Sequence, residues 1–326
     1  MAPLVSVIIP SYNGAQYLEQ AVNSVIRQTH EKLECIIVDD GSTDRTHQLC
    51  QNLIKKDSRL KYVYQSNRGP ASARNRGIKE SKGDWIQLLD ADDWLNENKI
   101  RFQLEYFRKA ADCACEDIVL YSDYHVITVD LHQNILKEET QIFGNLSEKQ
   151  LLERVLTWSF KDDCPLHCNN MLFKRSVFDK ELFNETSTAF TDLELWTRLL
   201  THKIKFIYTP VIGMYFRRHP TSRTKNNKYV EEAYVGYLEL LYERQKELLD
   251  RIPHVEGKIR RAFQLGDTDL FFRLLKIYNR PVCVRIRSIK IKNKPVLKVL
   301  FFINLVRLKF KSNLRSKNKK IQKSRF

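Results

Sequence analysis

The chain has 326 residues, 43% of them hydrophobic, a length and composition that support one large or two ordinary globular domains with a substantial core. Its formal charge of +16 is concentrated at one end: residues 280–326 hold 16 of the 55 Lys and Arg and no Asp or Glu, which leaves 39 basic against 39 acidic residues before them. The basic balance therefore says nothing about the main body, and seven cysteines, an odd number scattered along the chain, fit reduced thiols better than a disulfide framework.

In chain order, Val5–Pro10 reads as a buried strand ended by Ser11-Tyr12-Asn13-Gly14, and Leu18, Ala21, Val22, Val25 and Ile26 recur at helical spacing. Leu33–Val38 is a second strand closed by Asp39-Asp40-Gly41-Ser42, after which Thr43 or Asp44 can cap a helix carrying Leu49, Leu53 and Ile54. Leu60–Tyr64 is a third strand, Ala71–Lys79 a helix, and Trp85–Leu89 a short apolar strand. Repeated βα units of this kind imply a largely parallel sheet with helices on both faces. Beyond Asp93 the rhythm loosens. Helices are expected over Lys99–Ala110, Leu151–Trp158, Asp192–His202 and Tyr229–Arg251, strands at Ile118–Ser122 and Met171–Phe173, and a loop or hairpin over residues 125–146.

Asp90-Ala91-Asp92-Asp93 directly follows the strand Trp85–Leu89. Three carboxylates at a strand end repel one another unless something positive neutralises them. Mg²⁺ and Mn²⁺ take oxygen ligands and bridge carboxylates to phosphates, and the C-terminal edge of an open α/β sheet is where such folds bind ligands. A solvated acidic turn capping the helix that follows is the plainer alternative. Cys164-Pro165-Leu166-His167-Cys168 with Cys113 and Cys115 departs from the paired C-x₂-C spacing of zinc sites. Asn145-Leu146-Ser147 and Asn184-Glu185-Thr186 fit the glycosylation pattern. Met1-Ala2-Pro3-Leu4 runs into a strand-like segment without a basic leader, so a cytoplasmic chain is expected, in which those two patterns are accidental.

Five segments stand in order: Ile9-Pro10-Ser11-Tyr12-Asn13, Val38-Asp39-Asp40-Gly41-Ser42, Asn67-Arg68-Gly69-Pro70 through Ala73-Arg74-Asn75, Leu89-Asp90-Ala91-Asp92-Asp93, and Thr191-Asp192-Leu193-Glu194-Leu195-Trp196. Together they closely resemble the family 2 glycosyltransferases over about residues 4–220. The resemblance implies an α/β fold of the GT-A (Rossmann-like) type, a mostly parallel sheet flanked by helices over residues 1–224. A helical extension over 225–279 and the basic tail 280–326 would follow. It implies an inverting, metal-dependent transferase moving a sugar from a nucleotide-diphospho-sugar to a glycan or lipid-linked hydroxyl.

By the same resemblance, Pro10, Tyr12 and Asn13 would wall the nucleotide base, and Asp40 would accept a hydrogen bond from the base imide, favouring uracil. Asn67 and Arg74 would approach the base and the phosphates. Asp90 would lie near ribose and metal, Asp92 would ligate Mn²⁺ or Mg²⁺ more directly, and Asp93 would support them or cap a helix. Asp192 would be the catalytic base, accepting the acceptor hydroxyl's proton. Thr191-x-x-Glu194 also has the form of a capping box, and the Glu-Asp pair common in the family is Thr191-Asp192 here. Tyr215-Phe216-Arg217-Arg218-His219 resembles the late segment that closes over the diphosphate, with His219 as a third metal ligand and Arg217 or Arg218 as a phosphate clamp.

The apolar stretch Val296–Phe310, broken by Lys298, Asn304, Arg307 and Lys309, is too short and charged to span a bilayer, which takes about 20 apolar residues. With its basic flanks it suits the inner face of an anionic membrane better than nucleic acid. A non-catalytic binding protein on the same scaffold is the alternative, opposed by the intact Asp90, Asp92 and Asp192. A dinucleotide-binding Rossmann enzyme lacks its Gly-x-Gly-x-x-Gly turn.

Overall fold

The structure, a computed structural model, describes residues 2–110, 117–157, 164–186, 190–202, 204–222, 234–241, 259, 272–274, 284–286 and 289–291. The chain divides into two compact units, Met1–Tyr237 and Leu238–Phe326. In the second, two short strands, Val284–Ile286 and Ile289–Ile291, pair antiparallel. The proposed membrane segment 296–310 and the remainder of the basic tail lie outside the described residues.

The first unit begins as the hydrophobic pattern requires. β1 (Val5–Ser11), β2 (Leu33–Asp40), β3 (Leu60–Gln65) and β4 (Trp85–Leu88) pair in parallel in the order β3-β2-β1-β4. α1 (Leu18–Ile26), α2 (Thr46–Ile54) and α3 (Pro70–Glu80) connect them. Every residue of β4 is buried, as a central strand covered on both faces must be. From β4 onward the sheet becomes mixed. The strands β5 (Trp94–Leu95), β6 (Ile118–Val129), β7 (Ile135–Gln141), β8 (Met171–Lys174) and β9 (Lys205–Arg218) extend it as β4-β8-β6-β9-β5, with β7 forming a hairpin on β6. Helices α4 (Lys99–Ala110), α5 (Glu148–Thr157), α6 (Arg175–Lys180) and α7 (Thr191–Thr201) complete the order.

The strand directions decide where function can sit. β4 pairs antiparallel with β8, β8 antiparallel with β6, and β6 parallel with β9. The C-terminal ends of β1, β2, β4, β6 and β9 therefore share one edge with the N-terminal end of β8. α7 precedes β9 and runs against it, so its first turn returns to that same edge. Asp39–Ser42, Asp90–Asp93, the turn before Met171, Asp192 and Arg217–His219 are thereby collected from across the first 219 residues. Of the sequence expectations, the parallel half and its helices are matched to within a few residues. The 14-residue β9 and the short β5 have no counterpart in them.

Candidate active site

The acidic turn after β4 is held rather than free. Asp93 is 1% exposed; its Oδ1 accepts the Arg217 N–H at 2.7 Å and its Oδ2 accepts the side-chain amide of Asn169. Burial, then the charges of Asp92 and Asp90, push its carboxyl well above the usual carboxylate range. It caps no helix, because α4 begins only at Lys99. Asp92 is more open, and its Oδ2 lies 3.2 Å from Nε2 of the buried His219, whose Nδ1 is 2.8 Å from Thr221 Oγ1. A neutral ring protonated on Nε2 donates to that carboxylate while its Nδ1 accepts from the Thr221 hydroxyl.

Among the described residues, Asp90, Asp93 and His167 form a group whose ligand atoms all lie within 4.8 Å of one another. Asp90 thus stands with Asp93 and His167, while the Asp92–His219 contact forms beside them. Two carboxylates and an imidazole suit Mn²⁺ better than Mg²⁺, which favours oxygen and keeps its waters. His167 carries no motif signal. Its position becomes visible only once the 3₁₀ turn Cys168–Asn170, which its Nδ1 caps, is placed against β4.

Arg74 joins the two acidic centres. Its side chain is 9% exposed, its Nη2 donates to Asp90 Oδ1 at 2.7 Å, and its guanidinium lies 5.4 Å from the Phe183 ring. Burial opposes its charge, but the carboxylates of Asp90 and Asp192 lie near enough to keep it protonated. Asp192 therefore faces the same guanidinium as Asp90, from the first turn of α7. The capping box is not formed: Phe190, with φ 52°, is the N-cap and offers no side-chain bond, and Thr191 is already helical. Glu194 instead takes Arg198 in a bidentate pair, at 2.8 and 2.9 Å, which fastens α7 to the segment at Glu181. Neighbouring Asn75 clamps Phe183 by reciprocal bonds at 2.9 and 3.0 Å, fixing the loop that covers Arg74.

On the far side of the edge, the expected base-binding residues meet one another. Asn13, with φ 51°, accepts the Thr43 N–H at 2.8 Å and donates its own N–H to Ser42 Oγ at 2.9 Å, so it ties the loop after β1 to the loop after β2. Tyr12 is 54% exposed beside it, Pro10 is half-buried, and Asn67 is exposed. Asp40 is buried and already engaged: Oδ1 accepts Gln65 Nε2 at 2.8 Å and the Arg68 N–H at 2.9 Å, and Oδ2 accepts the Gly69 N–H at 2.9 Å. Its carboxylate thus shapes the loop before α3, with acceptor capacity remaining on Oδ2.

Arg217, expected with Arg218 as a phosphate clamp, is engaged within the fold. Its guanidinium carbon sits 4.6 Å from the Tyr17 ring centroid and 4.9 Å from that of Trp94, and its terminal nitrogens donate to Gln133 Oε1 at 3.1 Å and to Gln20 Oε1. Desolvation lowers its pKa. Both terminal nitrogens bond within the fold, the Arg217 backbone N–H holds Asp93, and Tyr17 packs 4.8 Å from His219. Arg218 is half-buried, with its guanidinium 5.9 Å from the Phe216 ring.

A half-parallel, half-mixed sheet with acidic residues gathered at its C-terminal edge defines a GT-A-type α/β domain. The chain belongs to glycosyl transferase family 2, whose family model matches residues 6–182. It is 29% identical over 256 residues to an uncharacterized glycosyltransferase of Rickettsia typhi, covering 78% of this chain and 77% of that one. To the glycosyltransferase GlyG of Streptococcus pneumoniae it is 31% identical over 214 residues, 64% of this chain and 69% of the other. It spans only 27% of the length of a Rickettsia bellii glycosyltransferase to which it is 32% identical over 61% of its own length. In structure it is similar to TarS of S. aureus in complex with UDP-GlcNAc, with a TM-score of 0.60 at 17% identity, covering 83% of this chain and 79% of that one. A mannosyltransferase from Pyrobaculum calidifontis in complex with GDP-Man and Mn²⁺ gives a TM-score of 0.53 at 17% identity, covering 85% and 74%.

Proposed function

We propose that this chain is an inverting glycosyltransferase that uses a divalent cation, Mn²⁺ before Mg²⁺, and a nucleotide-diphospho-sugar to glycosylate a hydroxyl of a glycan or lipid-linked acceptor. The observation that carries the reading is the shared guanidinium of Arg74, which meets Asp90 of the cation corner at 2.7 Å and lies in the field of Asp192. A donor diphosphate at the corner and an acceptor hydroxyl at Asp192 would then approach one sugar carbon from opposite sides. Asp192 would take the hydroxyl proton, while Asp90, Asp92, Asp93, His167 and His219 offer the groups that could hold the cation. When bound, the cation would offset the charge of the departing diphosphate. Uracil is favoured through the remaining acceptor capacity of Asp40, with Pro10, Tyr12, Asn13 and Asn67 around the base. The TarS complex holds a UDP-sugar and the mannosyltransferase complex a GDP-sugar, so the nucleotide is the first matter to test. We assign the basic tail to the anionic inner face of a membrane, which makes the protein cytoplasmic and peripheral. Among the described residues no helix is long and apolar enough to cross a bilayer.

The test is a donor screen: purified chain, Mn²⁺, UDP- and GDP-sugars, and crude lipid or glycan acceptor, scored for acceptor-dependent nucleotide release with and without EDTA. Release from a UDP-sugar that stops in EDTA is expected. Full turnover in EDTA, or preference for a GDP-sugar, would refute the cation or the base assignment respectively.

A further inference from the structure

The cation corner is organised around a residue outside every motif. Asn169 is fully buried in the 3₁₀ turn before β8, and each of its polar groups is used. Its Oδ1 accepts the Asp90 N–H at 2.8 Å, and its Nδ2 donates to Asp93 Oδ2. The backbone N–H donates to His167 Nδ1 at 3.4 Å, and the carbonyl accepts Gln87 Nε2 at 2.9 Å. One side chain and its own backbone thus touch all three members of the Asp90–Asp93–His167 group. The amide has only one workable orientation, since the Asp90 N–H can only donate and so takes Oδ1, which leaves Nδ2 to Asp93. The same constraint operates one layer deeper. The Leu88 and Asn169 carbonyls can only accept, so Gln87 turns its amide nitrogen to them and its Oε1 to the fully buried Lys99. The adjacent Asn170, equally buried, reaches neither carboxylate: its Oδ1 accepts the His167 N–H at 3.0 Å, closing the turn, and its Nδ2 donates to Ser122 O at 2.6 Å and Pro165 O at 2.9 Å.

We propose that Asn169 is a positioning residue of the divalent-cation site, setting the placement of Asp90 and Asp93 before a cation arrives, while its N–H closes the turn that carries His167. The proposal rests on the reading of that corner as a cation site. It is tested by titrating Mn²⁺ into the full chain in the presence of UDP, with free Mn²⁺ read by electron paramagnetic resonance at fixed pH and folding checked by circular dichroism. Asn169→Ala should weaken Mn²⁺ binding by about ten-fold or more, the scale seen when groups supporting metal ligands are removed. Asn169→Asp keeps the volume and the acceptor for Asp90 but replaces the donor facing Asp93. It should also weaken binding, although it adds a negative charge, and it carries the test if the alanine variant does not fold. Asn169→Ala should add little in an Asp93→Asn background, because groups acting as one unit are not additive. Wild-type protein that binds no Mn²⁺ overturns the cation reading and this proposal together. Wild-type binding with unchanged affinity in folded Asn169 variants, or a fully additive loss from Asn169→Ala in the Asp93→Asn background, overturns this proposal alone.

Discussion

At the scale of single residues, Asp192 and Asp93 carry opposite demands. Asp192 is half-buried at a helix N-terminus and has its Oδ1 2.9 Å from the Leu193 N–H, which fixes its direction. Asp192→Asn preserves much of that shape but removes the proton acceptor. Turnover should fall by about 10²-fold or more, with UDP affinity nearly unchanged; a parallel loss of UDP affinity would assign Asp192 to donor binding instead. Asp93 is crowded by Asp92 and Asp90 in a buried place, so the folded chain binds its proton more tightly than the unfolded chain. Its contribution to stability is therefore full below the ordinary carboxylate range and is lost as pH rises through the raised value. In EDTA, the melting temperature of Asp93→Asn should gain on wild type as pH is raised from about 4 to about 8, and Mn²⁺ should reduce that gain. A difference that stays flat across this range would mean that Asp93 is not crowded in the folded state.

At the scale of elements, the close packing of α3 on β1 and β2 sets the position of Arg74. Gly77 faces the sheet, and a methyl group there would lie 2.2 Å from Ile8 Cγ2 and 3.3 Å from Val38 Cγ2. Gly77→Ala should destabilise the domain by about 1–3 kcal/mol in urea unfolding, the usual cost of overpacking a core. Arg74 would shift with the helix, so UDP and Mn²⁺ affinity should weaken as well. A variant as stable as wild type would show that α3 is free to lift. β8 has the corresponding role for the cation corner. Its pairing of Trp85 with Lys174 and Ile86 with Phe173 brings the 3₁₀ turn level with Asp90. Arg175 secures this register by donating to Ser81 Oγ at 2.9 Å and to Gly83 O.

At the scale of the whole molecule, charge is separated along the chain. Deleting residues 280–326 removes 16 basic and no acidic side chains, and should leave a body of formal charge near zero that still binds UDP. Full-length chain should sediment with anionic vesicles and less so as salt is raised, because screening shortens the reach of those charges. Residual binding at high salt is expected from Phe301, Phe302, Ile303, Leu305 and Val306. A truncated protein that still sediments with the vesicles, or full-length chain that prefers RNA in direct competition, would remove the membrane assignment.

Local pattern is enough for the parallel half. β1, β2, β3 and β4 are short apolar runs bounded by turn residues, and the acidic and Asn-rich turns that follow them are contiguous along the chain. Asp90 and Asp92 therefore stand out in the amino-acid order alone, while Asp40, Asp192 and His219 are picked out by what the family resemblance implies. Contacts made across the sheet leave no such mark. His167 and Asn169 reach Asp90 and Asp93 only because β8 runs antiparallel to β4, a pairing between segments about 80 residues apart. Arg217 has the form of a phosphate clamp in sequence, yet Tyr17, Trp94, Gln20 and Gln133 converge on it from three other elements. The Thr191–Glu194 capping pattern yields to the Glu194–Arg198 pair for a related reason. Periodicity and turn chemistry act between neighbours along the chain, so they specify the elements and the charged ends of the strands. The partners of each charge depend on strand order and direction, and these are set only when distant segments pair into one sheet.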